Sequence, residues 1–164
     1  MLSPAVHTDK AVTRLGVRAR ERAPAHMWAA DKMTSMNTPD GFEIVGRRAF
    51  YRPVATVSGA DAVTMVASAI AYARERGASE LLANVCGLAG FAAPNVTELY
   101  FLAERYAVAT AGRIRVALVD RSERIHPRKF GVTVAVNRGA VLDVFATDAE
   151  ALTWLDGRAG TPPA

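Results

Sequence analysis

A thiol, an imidazole and two adjacent cations stand out among the reactive groups of the sequence: Cys86, His126, Arg128 and Lys129. Cys86 closes the run Glu80-Leu81-Leu82-Ala83-Asn84-Val85-Cys86 and lies near the start of a predicted helix. A helix dipole there could lower the thiol pKa and make it a nucleophile. A cysteine in such a run is more ordinarily a small buried hydrophobe. His126 precedes Pro127 at another predicted helix start, where the dipole disfavours an imidazolium, so a loop or capping role suits it better than catalysis. Arg128 and Lys129 could hold an anion together with that helix N-terminus, although a solvated basic face explains them as simply. Asn84 and Asp120 fall near strand ends, where ligand crevices form in open α/β sheets.

Most other chemistry is missing. Gly87-Leu88-Ala89-Gly90 has two glycines but neither the Gly-x-Gly-x-x-Gly spacing of a dinucleotide site nor the Lys-Ser/Thr of a phosphate-binding loop. No Gly-x-Ser-x-Gly elbow is present. A single cysteine excludes an internal disulfide and a multi-thiolate zinc site, and it suits a reducing compartment. His126 is the only histidine after residue 36, so no histidine pair can bind a metal there. No metal, cofactor or catalytic residue is expected, and the chain reads as a non-enzyme.

These groups sit in a chain of 164 residues, 51% hydrophobic and 22% charged, enough for one domain with a real core. No run reaches the roughly 20 apolar residues of a membrane span. The net charge is +4 and the pI about 9.6. Residues 1–36 hold six basic and three acidic residues, which leaves 14 and 13 for the remainder. The basic pI therefore reports the leader, and no nucleic-acid partner is expected for the body. Pro4, Gly16 and Pro24 break any long apolar face in the leader, and it has no secretory apolar core. Residues 1–38 are expected to be a flexible leader or a misassigned start, 39–157 the domain, and 158–164 a flexible tail. Seventeen arginines against three lysines suggest a GC-rich bacterial genome and, with no export signal, a cytoplasmic protein.

Periodicity places the elements that must position these groups. Phe42–Val45 and Ala49–Val57 read as two strands of a hairpin, with Pro53 marking an edge or bulge. Ser58-Gly59-Ala60-Asp61 supplies the start of an amphipathic helix that ends at Gly77. Glu80–Cys86 is a buried strand and 87–95 a loop. Asn95 caps a helix that runs to Gly112, with Tyr100 and Tyr106 on its packing face. Ile114–Val119 is a strand. Residues 126–138 alternate like a strand, but Pro127 at one end and Gly139 at the other favour a helix. Val141–Phe145 is a strand, and Thr147-Asp148-Ala149-Glu150 is a capping box that opens the last helix. Strands alternating with helices imply a five-strand, mostly parallel sheet with an N-terminal hairpin and about four helices.

That order, and the ending Gly139-Ala140-Val141-Leu142-Asp143-Val144-Phe145-Ala146-Thr147-Asp148-Ala149-Glu150-Ala151-Leu152-Thr153-Trp154-Leu155, resemble the STAS-like family, most of all its SpoIIAA-like (STAS/SEC14-type) members. The resemblance covers roughly residues 42–157 and rests on pattern more than on a fixed motif. It implies a single-domain α/β module that regulates a protein partner rather than an enzyme. Family members that switch partners do so through a phosphorylated Ser or Thr in an Asp-Ser-type motif. The matching stretch here, Asn84 to Thr97, has no serine, and Thr97 is its only hydroxyl. The resemblance thus leaves Thr97 as the phosphosite candidate without the motif. It places the partner- or ligand-binding surface at Cys86, Gly87, Leu88, Gly90, Phe91 and Asn95, with Leu88 or Phe91 as apolar anchors. An apolar crevice for a small ligand or lipid is the alternative. The hairpin edge could also pair with a second copy in a homodimer.

Overall fold

A computed structural model describes residues 37–157. The expectations for residues 1–36 and 158–164 lie outside the described residues. Thr38, assigned above to the leader, hydrogen-bonds through its hydroxyl to that of Tyr72 at 3.0 Å.

Among the described residues, seven strands and four α-helices follow in the order β1 (Phe42–Val45), β2 (Arg48–Tyr51), β3 (Ala55–Thr56), α1 (Gly59–Glu75), β4 (Glu80–Asn84), β5 (Leu88–Ala89), α2 (Val96–Thr110), β6 (Arg115–Val119), α3 (Phe130–Asn137), β7 (Val141–Phe145) and α4 (Asp148–Gly157). Five strands form one sheet in the order β1-β2-β4-β6-β7. β1 is antiparallel to β2, and the other pairs are parallel. This is the mixed five-strand sheet with a leading hairpin and four helices that the sequence implies.

Alternation along the strands divides the core in two. Leu81 and Ala83 of β4, with Val116 and Leu118 of β6, face α1, α2 and α3. Leu82, Ala117 and Val119 face the other way, against Ala151 and Leu155 of α4. Both faces are covered, so the central strands read as continuous apolar runs.

Three element expectations need correction. The single strand over Ala49–Val57 is two strands. β2 ends at Tyr51: Arg52 still donates its N–H to Gly41 at 2.8 Å, but Pro53 has none to give. β3 then leaves the main sheet and pairs in parallel with β5. The expected loop 87–95 therefore contains a strand. The helix expected over 126–138 starts only at Phe130. Lys129 is its cap, in a left-handed conformation with φ of 46°, and Pro127 lies in the turn before it.

The caps otherwise follow the sequence. Ser58 accepts from the Asp61 N–H, and Asn95 and Glu98 form a reciprocal capping box. The Thr147 box is half realised: Thr147 Oγ1 accepts from the Glu150 N–H at 3.3 Å. The Glu150 carboxylate reaches past Thr147 to the Ala146 N–H at 3.2 Å.

Candidate functional site

β4, β6 and β7 are parallel, so their C-terminal ends open on the same edge of the sheet. β4 delivers Asn84 and Cys86 there, β6 delivers Asp120 and Arg121, and β7 runs into Asp148 at the start of α4. Asn84 ties two of these ends together. Its Nδ2 donates to Asp148 at 2.6 Å, and its Oδ1 accepts from the Cys86 N–H at 3.0 Å. Arg52, just past β2, pairs with the other Asp148 oxygen at 3.0 Å. Asn84 is therefore a structural clamp, and its amide is occupied.

Cys86 is half-buried. Burial and the Asp120 charge push its thiol above the ordinary value, against the opposing pull of Arg124 and Arg121. The Arg121 guanidinium donates to the Cys86 carbonyl, not to sulfur, at 3.0 and 3.2 Å. A thiol held protonated is a poor nucleophile, which disfavours the nucleophilic reading.

Arg124 organises the loop that follows. It sits in a 3-10 turn, Ser122–Arg124, and is only 8% exposed. Its guanidinium pairs with Asp120 at 2.7 Å. The same fork donates to the carbonyls of Leu88 and Val85 at 3.2 and 3.3 Å, and it lies over the Phe91 ring at 4.7 Å. Burial pushes the Asp120 carboxyl above its ordinary range, although the Arg121 N–H and Arg124 both draw it down. Sequence reasoning missed Arg124. The only signal was an Asp and an Arg four residues apart, just past a strand end.

Two glycines let the loop close on β3. A Cβ on Gly87 would stand 2.6 Å from the Pro53 carbonyl oxygen. Gly90 has φ of +97°, and a Cβ there would stand 2.7 Å from the Val57 carbonyl oxygen. Both positions admit only glycine without a backbone shift. Both allow a close backbone approach, and both are exposed.

The predicted surface residues divide. Leu88 is 0% exposed and packs in the core, so it cannot be a surface anchor. The residue lies in β5, opposite Ala55 of β3. Phe91 is partly buried against the core, beneath Arg124. Asn95 and Thr97 are exposed at the start of α2. Asn95 is engaged in the capping box. The suggested anion pair is not assembled: Arg128 is exposed, but Lys129 pairs with Asp143 at 2.7 Å and lies over the Phe145 ring at 5.0 Å. His126 accepts from the Arg128 N–H at 3.2 Å, in keeping with a loop role. Of the two tyrosines placed on the packing face of α2, only Tyr106 is buried. Tyr100 is at the surface, under the Arg138 guanidinium.

Two cavities flank α2. One, of about 430 Å³, lies between α1, α2 and the 88–94 segment. The other, of about 100 Å³, lies between α2, α3 and the sheet. Both share Val85, Pro94, Leu102, Tyr106 and Asp120 as walls. Among the described residues no cluster of three or more His, Cys, Asp or Glu could hold a metal, and no helix is long and apolar enough to cross a membrane.

No family model and no curated protein matches the chain. Among solved structures, the chain is similar to that of the anti-sigma factor antagonist SpoIIAA in its unphosphorylated form. The TM-score is 0.38 and the identity 21%, over 73% of this chain and 97% of that chain.

Proposed function

We propose that this chain is a non-enzymatic, STAS-like regulatory module that docks a protein partner on α2 and the loop before it. One observation carries the reading. α2 exposes Val96 by 53%, Phe101 by 59% and Val108 by 78%, with Tyr100 edge-on to Phe101 at 5.8 Å. Scattered apolar residues are normal on a surface, but an apolar run along one helix beside a rigid loop is what a partner interface needs. The C-terminal edge offers no assembled acid–base pair beside Cys86, which supports a binding role. In this reading the protein acts in the bacterial cytoplasm.

The test is capture of a stoichiometric partner by the full chain from its host, repeated with Val96→Asp and Val108→Asp. Both sites are exposed; an acidic residue suits the first turn of α2, and at Val108 in the last turn it opposes the dipole by only about 0.3–1 kcal/mol, so the fold should survive. Loss of the partner with unchanged thermal unfolding supports the reading. Equal capture by the variants overturns it. Intact mass of the captured protein also shows whether Thr97, exposed in the first turn of α2, carries phosphate. Phosphorylation there would add the switch, and the docking does not require it.

A small-ligand reading is favoured by a different observation, the cavity of about 430 Å³ beneath Phe91 and Phe101. A homodimer would use the outer edge of β1, where Ile44 and Val45 are exposed, and molar mass by light scattering decides it.

A further inference from the structure

The larger cavity has an apolar body and a polar end. α1 walls it with Ala62, Val63 and Val66, and Phe91 and Phe101 flank it. Its volume of about 430 Å³ falls in the range of small-molecule sites. Tyr106, itself buried, and Asp120 stand at the deep end, where the second cavity shares them.

The charged groups on the lining are mostly engaged. The Glu98 carboxylate accepts from the Asn95 N–H at 2.8 Å. Arg105 donates to the Thr64 hydroxyl at 3.2 Å. One Asp120 oxygen, Oδ1, takes both the Arg124 guanidinium and the Arg121 N–H. The other oxygen carries no such bond. An ionised carboxylate only accepts, so this end calls for a donor. An anion entering the cavity would meet the Asp120 and Glu98 carboxylates, with only Arg105 on the lining to oppose them, a cation at the exposed rim already bonded to the Thr64 hydroxyl.

We propose that this cavity binds a neutral, ring-containing apolar molecule that donates one hydroxyl or N–H to Asp120. The rings lie against Phe91 and Phe101, whose faces suit offset or edge-on contact. Arg124 presets the wall by fixing Phe91, so little ordering is left to binding. The inference gives chemical content to the small-ligand reading and rests on it. The two readings share Phe101, which is exposed on α2 and also flanks the cavity, but Val96 and Val108 do not line it, so substitutions there separate the two.

The experiment titrates the full chain, labelled with nitrogen-15, with 2-naphthol and with 2-naphthoate, and reads amide shifts. Saturable shifts at Val63, Phe91 and Tyr106 are expected with 2-naphthol, and about ten-fold weaker binding of the anion. Asp120→Asn should weaken 2-naphthol several-fold and narrow its preference over 2-naphthoate. Val63→Phe fills the cavity and should abolish the shifts. Ala60→Trp at the exposed rim serves the same purpose should Val63→Phe fail to fold. Absence of saturable shifts with 2-naphthol overturns the proposal, as does an unchanged preference in Asp120→Asn. Binding that persists in a folded cavity-filling variant overturns it too. Val96→Asp should leave 2-naphthol binding unchanged while partner capture is lost, which separates failure of one reading from failure of the other.

Discussion

Arg124 lies over Phe91, with its guanidinium carbon 4.7 Å from the ring centre, while the same fork pairs with Asp120. One side chain thus joins the end of β6 to the loop after β4. Arg124→Leu leaves the half-buried Asp120 carboxylate without its counter-charge, with only the Arg121 N–H, and takes a donor from the Leu88 and Val85 carbonyls. We expect it to lower stability by about 3–5 kcal/mol in urea unfolding. The double variant Asp120→Leu/Arg124→Leu should lose clearly less than the sum of the two single changes. An additive cycle would show that the pair does not act as a unit.

Asp120 gives stability a definite pH dependence. Its folded-state pKa is raised above the ordinary 3.8, chiefly by burial, so the native state binds a proton that the unfolded state has released. Its contribution to stability is therefore present at low pH and is lost as pH rises from about 3.8 through the raised value. Urea unfolding across that window should show this slope, and Asp120→Asn should remove Asp120's share of it. An unchanged profile in the variant would refute the assignment.

The Cys86 thiol should alkylate slowly. At about pH 8.5 an ordinary thiol is half ionised, and Cys86 should react with iodoacetamide more slowly than a free-cysteine peptide. Asp120→Asn removes a neighbouring negative charge that raises the thiol pKa, so the rate should rise. An equal or lower rate in the variant would contradict the electrostatic account.

Glycine substitutions should rank by space. Gly90→Ala combines a strained φ with a contact of 2.7 Å and should cost about 2–3 kcal/mol. Gly139→Ala has φ of +87° but open space around it, and should cost only about 1 kcal/mol. Thermal unfolding of the two variants decides whether close approach, beyond backbone strain, is what Gly90 provides.

The C-terminal helix should depend on one arginine. Arg115 donates to Glu80 and to the carbonyls of Leu155 and Trp154, each at 3.0 to 3.1 Å, and lies over the Trp154 ring at 4.9 Å. Arg115→Ala should lower stability by about 2–4 kcal/mol and shift Trp154 fluorescence to the red. An unshifted spectrum would mean that α4 stays docked without it.

Much of the fold was legible because local chemistry agreed with global packing. Ser58, Asn95 and Gly77 each mark a helix end by a mechanism that works within a few residues. The central strands are apolar throughout because both faces are covered. The candidate site was less legible, since its geometry depends on contacts far apart in sequence. Leu88 looked like a surface anchor because nothing local reveals that β3 and β5 pair across it. Lys129 looked free because Asp143 lies 14 residues away. Arg124 passed unnoticed because its partners, Val85, Leu88 and Phe91, belong to a different βα connection.

The two faces of the sheet are unequally served. Among the described residues, three helices cover one, and α4 alone covers Leu82, Ala117 and Val119 on the other. That has a consequence for biosynthesis. A nascent chain that has emerged only as far as β7 holds all five strands of the sheet while Leu82, Ala117 and Val119 still lack α4. It cannot close its second core until residues 148–157 clear the ribosome. Folding should therefore finish late, and translation stalled just after β7 should yield a chain that chaperones retain.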